Sequence, residues 1–394
     1  MKKIDIIGCL IACILAGILC YQCKPEKQAA SEVADQQTGA TVQAVASAVT
    51  NPIPLKLGDP FMLHASDGRY YMYGTSLADG FEAFVSDDLV NWESCGQIYK
   101  GGQPGQWNKD CFWAPEVYER NGKYYIFFSA NLCDSLNVNN DLETFNIGVA
   151  VSDSPAGPFT DLMNRPVFQP EWPIIDANVY FDDANGKCYL YFSRCCYKHA
   201  VESELAQQMK AEDKQYQTIE GLKDEIQESW VYGVELKPDF SGVIGEPQAL
   251  LCPPSKLDDV QAEWESRSVT SGEVNRRWTE GSYCFRQGDT YYIMYSANFY
   301  GGEHYAVGYA TADNPLGPFT KAANNPVLQK KGEVLGTGHN MVLTMPDGQR
   351  YTVYHGRMAS NPGERVVLMD RVEIAQDGIL TVAGPTTTEQ QINR

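Results

Sequence analysis

From residue 55 onward the chain repeats one pattern of apolar and polar positions. "GRYYMYGT" (68–75), "GKYYIFFSA" (122–130), "GKCYLYFSR" (186–194), "DTYYIMYSA" (289–297) and "QRYTVYHGR" (349–357) each place an aromatic, β-prone run after a turn. Outer stretches repeat as well: "VSDDLVNWE" (85–93), "VSDSPAGPFTD" (151–161) and "ATADNPLGPFTK" (310–321). Repeats of this size, with several short strands per unit and no helices between them, predict radial stacking. Five units predict an all-β fold, a five-bladed β-propeller. A β-sandwich also gives many short strands, but not five copies of one hairpin.

Ahead of each phrase stands a further strand with an unexpected polar residue: Asp59 in "LGDPFMLH", Glu116 in "FWAPEVYE", Asp176 in "IIDANVYF", Glu280 in "WTEGSYCF" and His339 in "GTGHNMVL". Successive positions are 57, 60, 104 and 59 residues apart. The long interval predicts an insertion over about 197–230. There, Val201, Leu205 and Met209, then Ile219, Leu222 and Ile226, follow a helical period among charges. In a propeller the innermost strands line a central channel, so equivalent positions converge on one axis. A carboxylate in an apolar strand costs several kcal/mol unless it is paired, hydrated or used. Asp59, Asp176 and Glu280 are therefore expected at one mouth of the channel, as a site. Glu116, after Pro115, is expected to be structural.

Composition narrows the partners. The net charge of −19 excludes nucleic acid, which needs basic patches, and fits a neutral small molecule or polymer. Lys2 and Lys3 precede an apolar run to Cys20, which predicts an export signal over 1–23, with a lipoprotein signal or an uncleaved anchor as alternatives. Membrane contact is expected only through that segment, and the location is periplasm or cell surface. Residues 24–54 carry the composition of a flexible linker. Beyond the signal the cysteines are expected as buried free thiols with at most one disulfide; they show no CxxC spacing for zinc.

The motifs "GDPF", "WAPEV", "IDANVYF", "TEGSY" and "GTGHNMV", with a terminal "GERVVLMDRVEIAQDGIL", resemble glycoside hydrolase family 43 over roughly 55–385. The resemblance implies an inverting hydrolase in which Asp59 is the general base, Glu280 the general acid, and Asp176 the residue that tunes and orients the acid. It matches Arg365 to an arginine that reaches the sugar or the acid. It matches His339 to an axial histidine near a Ca2+ or Na+ ion, commonly held through water; no organic cofactor is implied. Phe112 and Trp113, ahead of "APEV", are the expected sugar-stacking rings. The family often adds a C-terminal β-sandwich. The resemblance ends near 385, leaving a tail over 386–394, so propeller loops are expected to shape the pocket of a monomer.

The implied substrates are arabinose- or xylose-containing poly- and oligosaccharides, with α-L-arabinofuranosyl linkages first and β-D-xylosidase or endo-arabinanase activity as alternatives. A non-catalytic carbohydrate-binding propeller is the reading from another class, and a retaining fructan-cleaving propeller is a further one.

Overall fold

Glycine at the hairpin corners fixes the register of the repeats. Asn121 and Gly122 both take positive φ (52° and 73°), which closes Arg120 onto Lys123 in a two-residue turn. Gly68, Gly186, Gly288 and Gly348 occupy the corresponding corners of the other four repeats, with φ of 83°, 70°, 60° and 84°. The computed structural model describes residues 46–133, 144–200, 225–254, 259–265 and 277–394.

Each repeat is one antiparallel blade. Blade 1 runs Gly58–His64, Tyr70–Thr75, Gly80–Ser86 and Glu93–Lys100; blade 2 runs Trp113–Arg120, Lys123–Asn131, Phe145–Ser152 and Thr160–Asp161. Blade 3 runs Ile174–Asp182, Lys187–Ala200, Glu225–Leu236 and Val243–Leu251. Blade 4 runs Arg277–Gln287, Thr290–Ala297, Ala306–Ala312 and Thr320–Lys321. Blade 5 runs Val334–Thr344, Arg350–Met358, Asn361–Ile374 and Leu380–Val382. Every innermost strand packs against the innermost strands of the two adjacent blades, and blade 5 returns to blade 1, so the ring closes. A short parallel pairing of Glu228 with Arg277 and Ser229 with Trp278 links blades 3 and 4.

The second strands are apolar on both faces because both faces are covered by neighbouring blades. Tyr71, Tyr73, Phe127, Phe128, Tyr191, Tyr295 and Tyr354 are all fully buried there. Two of these phenols explain the near-identity of two outer repeats. Tyr73 donates to the carbonyl of Pro155 in "SPAGPF", and Tyr191 to that of Pro315 in "NPLGPF". Each bond crosses from one blade to the next, which satisfies a buried hydroxyl and fixes the blade spacing.

Three expectations are corrected. The linker expected over 24–54 becomes strand at Ala46, and the tail over 386–394 pairs with it: Ala46–Val49 lies antiparallel to Gln390–Asn393. Asn51 then clamps blade 5 through both its backbone bonds to Met369 (2.9 Å each), and Ile53 pairs with Val367. The insertion is strand at its flanks, where Ala200 pairs with Glu225, because the blade 3 hairpin continues its register outward. The helical reading of 201–224 lies outside the described residues. A short helix, Ala262–Glu265, lies beside blade 4. Cys95, Cys133, Cys188 and Cys284 are free thiols, and Cys188 and Cys284 are buried.

Candidate active site

Each innermost strand carries a residue in left-handed backbone at the same level, and these five residues form a ring: Asp59, Ala114, Asp176, Gly281 and His339, with φ of 50°, 47°, 61°, 56° and 49°; blade 5 adds a second, Gly336, at 56°. A register break coincides with each of them. A bulge re-aims side chains and frees a backbone N–H from the ladder. Asp and His tolerate this conformation better than most residues, and such strain gathers at functional sites. The ring corrects the alignment read from sequence. Glu280 stands one residue before the bulge of blade 4, and Glu116 two residues after that of blade 2.

The second strands hold the bulges through a polar residue near the end of each aromatic phrase. Thr75 Oγ1 accepts the Ala114 amide (2.9 Å), Ser129 Oγ that of Asp176 (2.9 Å), Ser296 Oγ that of His339 (2.7 Å), and His355 Nδ1 that of Asp59 (3.1 Å). Each bond runs from one blade to the next. Blade 4 breaks the pattern. Its Gly281 amide donates to Asp176 Oδ2 (3.2 Å) rather than to Ser193, the equivalent hydroxyl. One carboxylate is thus anchored by the amide that directly follows Glu280.

Asp59, Asp176, Glu280, His339, Arg365 and Trp113 line one cavity of about 180 Å³, closed by Phe145, Ile175, Cys195, Trp278 and the 298–300 loop. Glu280 is fixed at both oxygens: Trp278 Nε1 donates to Oε2 (2.5 Å) and the Tyr305 hydroxyl to Oε1 (2.8 Å). Arg365 Nη1 donates to both oxygens of Asp59 (3.0 and 3.1 Å), and Thr75 Oγ1 donates to Oδ2 (2.7 Å). The motif glycines follow from these contacts. A Cβ on Gly58 would lie 1.9 Å from the Arg365 guanidinium carbon, and one on Gly338 would lie 2.0 Å from the Tyr305 ring.

The carboxyls differ in charge state. Burial pushes the Asp59 carboxyl up, but the Arg365 guanidinium leads the contacts that outweigh it and hold the group well below the usual carboxylate range. Burial first, then the charges of Glu280 and Asp59, push the Asp176 carboxyl well above that range. A carboxyl raised in this way keeps its proton to higher pH than an ordinary one. The site therefore offers one ionised carboxylate, Asp59, and one proton-holding carboxyl, Asp176, beside Glu280. Burial lowers both histidines, His355 to about 4, so both are neutral at pH 7. The 3.4 Å contacts of their Nδ1 atoms to Asp59 Oδ1 are then not ion pairs.

Phe112 is not in the site. It is 1% exposed and packs edge-on against Phe81 and Tyr99 at 6.1 Å, as core between blades 1 and 2. Adjacent residues of an extended chain point to opposite sides, so only Trp113 reaches the cavity. Glu116 is buried below the site, where Tyr118 and Asn178 donate to one oxygen and burial raises the carboxyl to about 8. Among the described residues no group of three or more His, Cys, Asp or Glu side chains is arranged to hold a metal ion. His355 carries its proton on Nε2, since Nδ1 accepts an amide, and Asp59 is taken by Arg365. Hard cations want oxygen ligands, so His339 would meet such an ion only through water.

The family model for glycosyl hydrolases family 43 matches residues 49–380. The chain belongs to glycoside hydrolase family 43. It is 28% identical to a β-D-galactofuranosidase of Aspergillus niger over 79% of this chain and 78% of that one. It is 28% identical to a xylosidase/arabinosidase of Bacteroides ovatus over 67% of this chain and 76% of that one. A thermostable family-43 glycoside hydrolase superposes with a TM-score of 0.71 at 32% identity, covering 88% of this chain and 99% of that structure. This family-43 chain is accordingly an enzyme that hydrolyses glycosidic bonds. Trp278, Tyr305 and Thr75 escaped the sequence reading. Trp278 was visible as the same-face neighbour of Glu280, and Thr75 as the hydroxyl that recurs near the end of four of the five aromatic phrases. Tyr305 had no local signal.

Proposed function

We propose that this family-43 enzyme inverts configuration while removing α-L-arabinofuranosyl groups from plant cell-wall polysaccharide or its oligosaccharides. The observation that carries the reading is the opposite charge state of carboxyls facing one cavity. Asp59, ionised, takes a proton from water as that water attacks the anomeric carbon. Glu280 gives its proton to the departing glycosidic oxygen, so the bond breaks without releasing an alkoxide. Asp176 keeps that proton between the two carboxyls until it is needed. Arg365 keeps Asp59 ionised. Trp113, Phe145 and Trp278 offer an apolar wall to the C–H face of the sugar.

The choice of sugar rests on the relatives: one is named for a furanoside and another for xylose and arabinose. β-D-Xylosidase activity is the second reading on the same ground. The basic and apolar N-terminal segment supports an exported location. The test compares 4-nitrophenyl α-L-arabinofuranoside, β-D-xylopyranoside and β-D-galactofuranoside, with the first-formed anomer followed by proton NMR. Turnover of the arabinofuranoside with an inverted product supports the reading. A retained product, or faster turnover of either other sugar, overturns it in that respect.

A further inference from the structure

Tyr305 stands outside every motif that points to the site, yet it touches both halves of it. Its ring lies parallel to His355, with centroids 5.6 Å apart and planes 15° off. His355 in turn holds the Asp59 amide. On the other side its hydroxyl donates to Glu280 Oε1 at 2.8 Å. Gly338 is small because this ring crosses its Cα.

The phenol has one proton to give, and its hydroxyl donates it to Glu280 Oε1. We infer that Tyr305 is a positioning residue that, with Trp278 on Oε2, locks the rotation of the Glu280 carboxyl and so aims its acidic proton. Without the phenol donor one of the two anchors is lost and the acid is misaimed.

This inference rests on Glu280 being the acid, and the experiment separates the two claims. Tyr305→Phe deletes one oxygen and keeps the ring on His355 and Gly338. Turnover is measured on a series of aryl α-L-arabinofuranosides, or of xylosides if those are the better substrates, from phenyl to 2,4-dinitrophenyl, beside Glu280→Gln. General-acid catalysis contributes about 100- to 10,000-fold, and misaimed rather than missing acid costs part of that. The expected result for Tyr305→Phe is a loss of about 30-fold on phenyl glycosides and under about 3-fold on dinitrophenyl glycosides, with KM unchanged. Equal losses across the series, or none, while Glu280→Gln shows the graded pattern, overturn the role of Tyr305 alone. A flat Glu280→Gln series removes the acid assignment and the inference with it.

Discussion

Asp59 and Asp176 occupy the same place in two blades of one ring. Both sit in left-handed backbone, with φ of 50° and 61°, and both have their amide held by the second strand of the preceding blade. Their chemistry is opposite. Asp59 faces a guanidinium, a hydroxyl donor and two imidazoles; Asp176 faces carboxyls and a single amide. The fold supplies the position, and the neighbours supply the charge state. A repeat protein can therefore build an acid and a base from one backbone device by varying what stands beside it.

Removing the ionised member has the largest expected effect. Asp59→Asn lowers kcat/KM by about 1,000- to 10,000-fold on aryl glycosides regardless of leaving group, measured under steady-state conditions. Asp176→Asn lowers it by about 100-fold. It also removes the charge that helps keep a proton on Glu280, so the basic limb of the kcat/KM profile moves to lower pH. An unmoved limb would make Asp176 a spacer. Arg365→Gln is expected to cost about 10-fold at neutral pH. With the guanidinium gone the Asp59 carboxyl rises, protonates at higher pH, and the acidic limb moves upward. A limb that moved downward would mean that Arg365 acts on another group. The smallest effect is on stability. Gly281→Ala puts a Cβ 3.0 Å from His339 Nδ1 in backbone at φ 56°. It should lower stability by about 1–2 kcal/mol in urea unfolding.

The blades were readable because aromatic alternation and glycine corners are local, and five copies reinforce one another. The three carboxylates were readable because each is conspicuous in an apolar strand. What escaped was the bulge. It offsets Glu280 by one residue from its true equivalent, Gly281, and no side-chain pattern records a change of φ. Phe112 and Trp113 show the same limit: two adjacent rings suit a sugar equally in composition, and only the direction of each side chain separates core from cavity. Tyr305 and Arg365 reach the carboxyls across 25 and 306 positions of sequence, and contacts of that kind exist only in the folded ring.

The most direct test of the contrast is a carboxyl titration by 13C NMR of aspartate-labelled protein, with signals assigned through Asp59→Asn and Asp176→Asn. The account predicts that at about pH 4, near the ordinary carboxylate midpoint, Asp59 is ionised while Asp176 still holds a proton, which it releases only at higher pH. Asp59 titrating at or above Asp176 would contradict it.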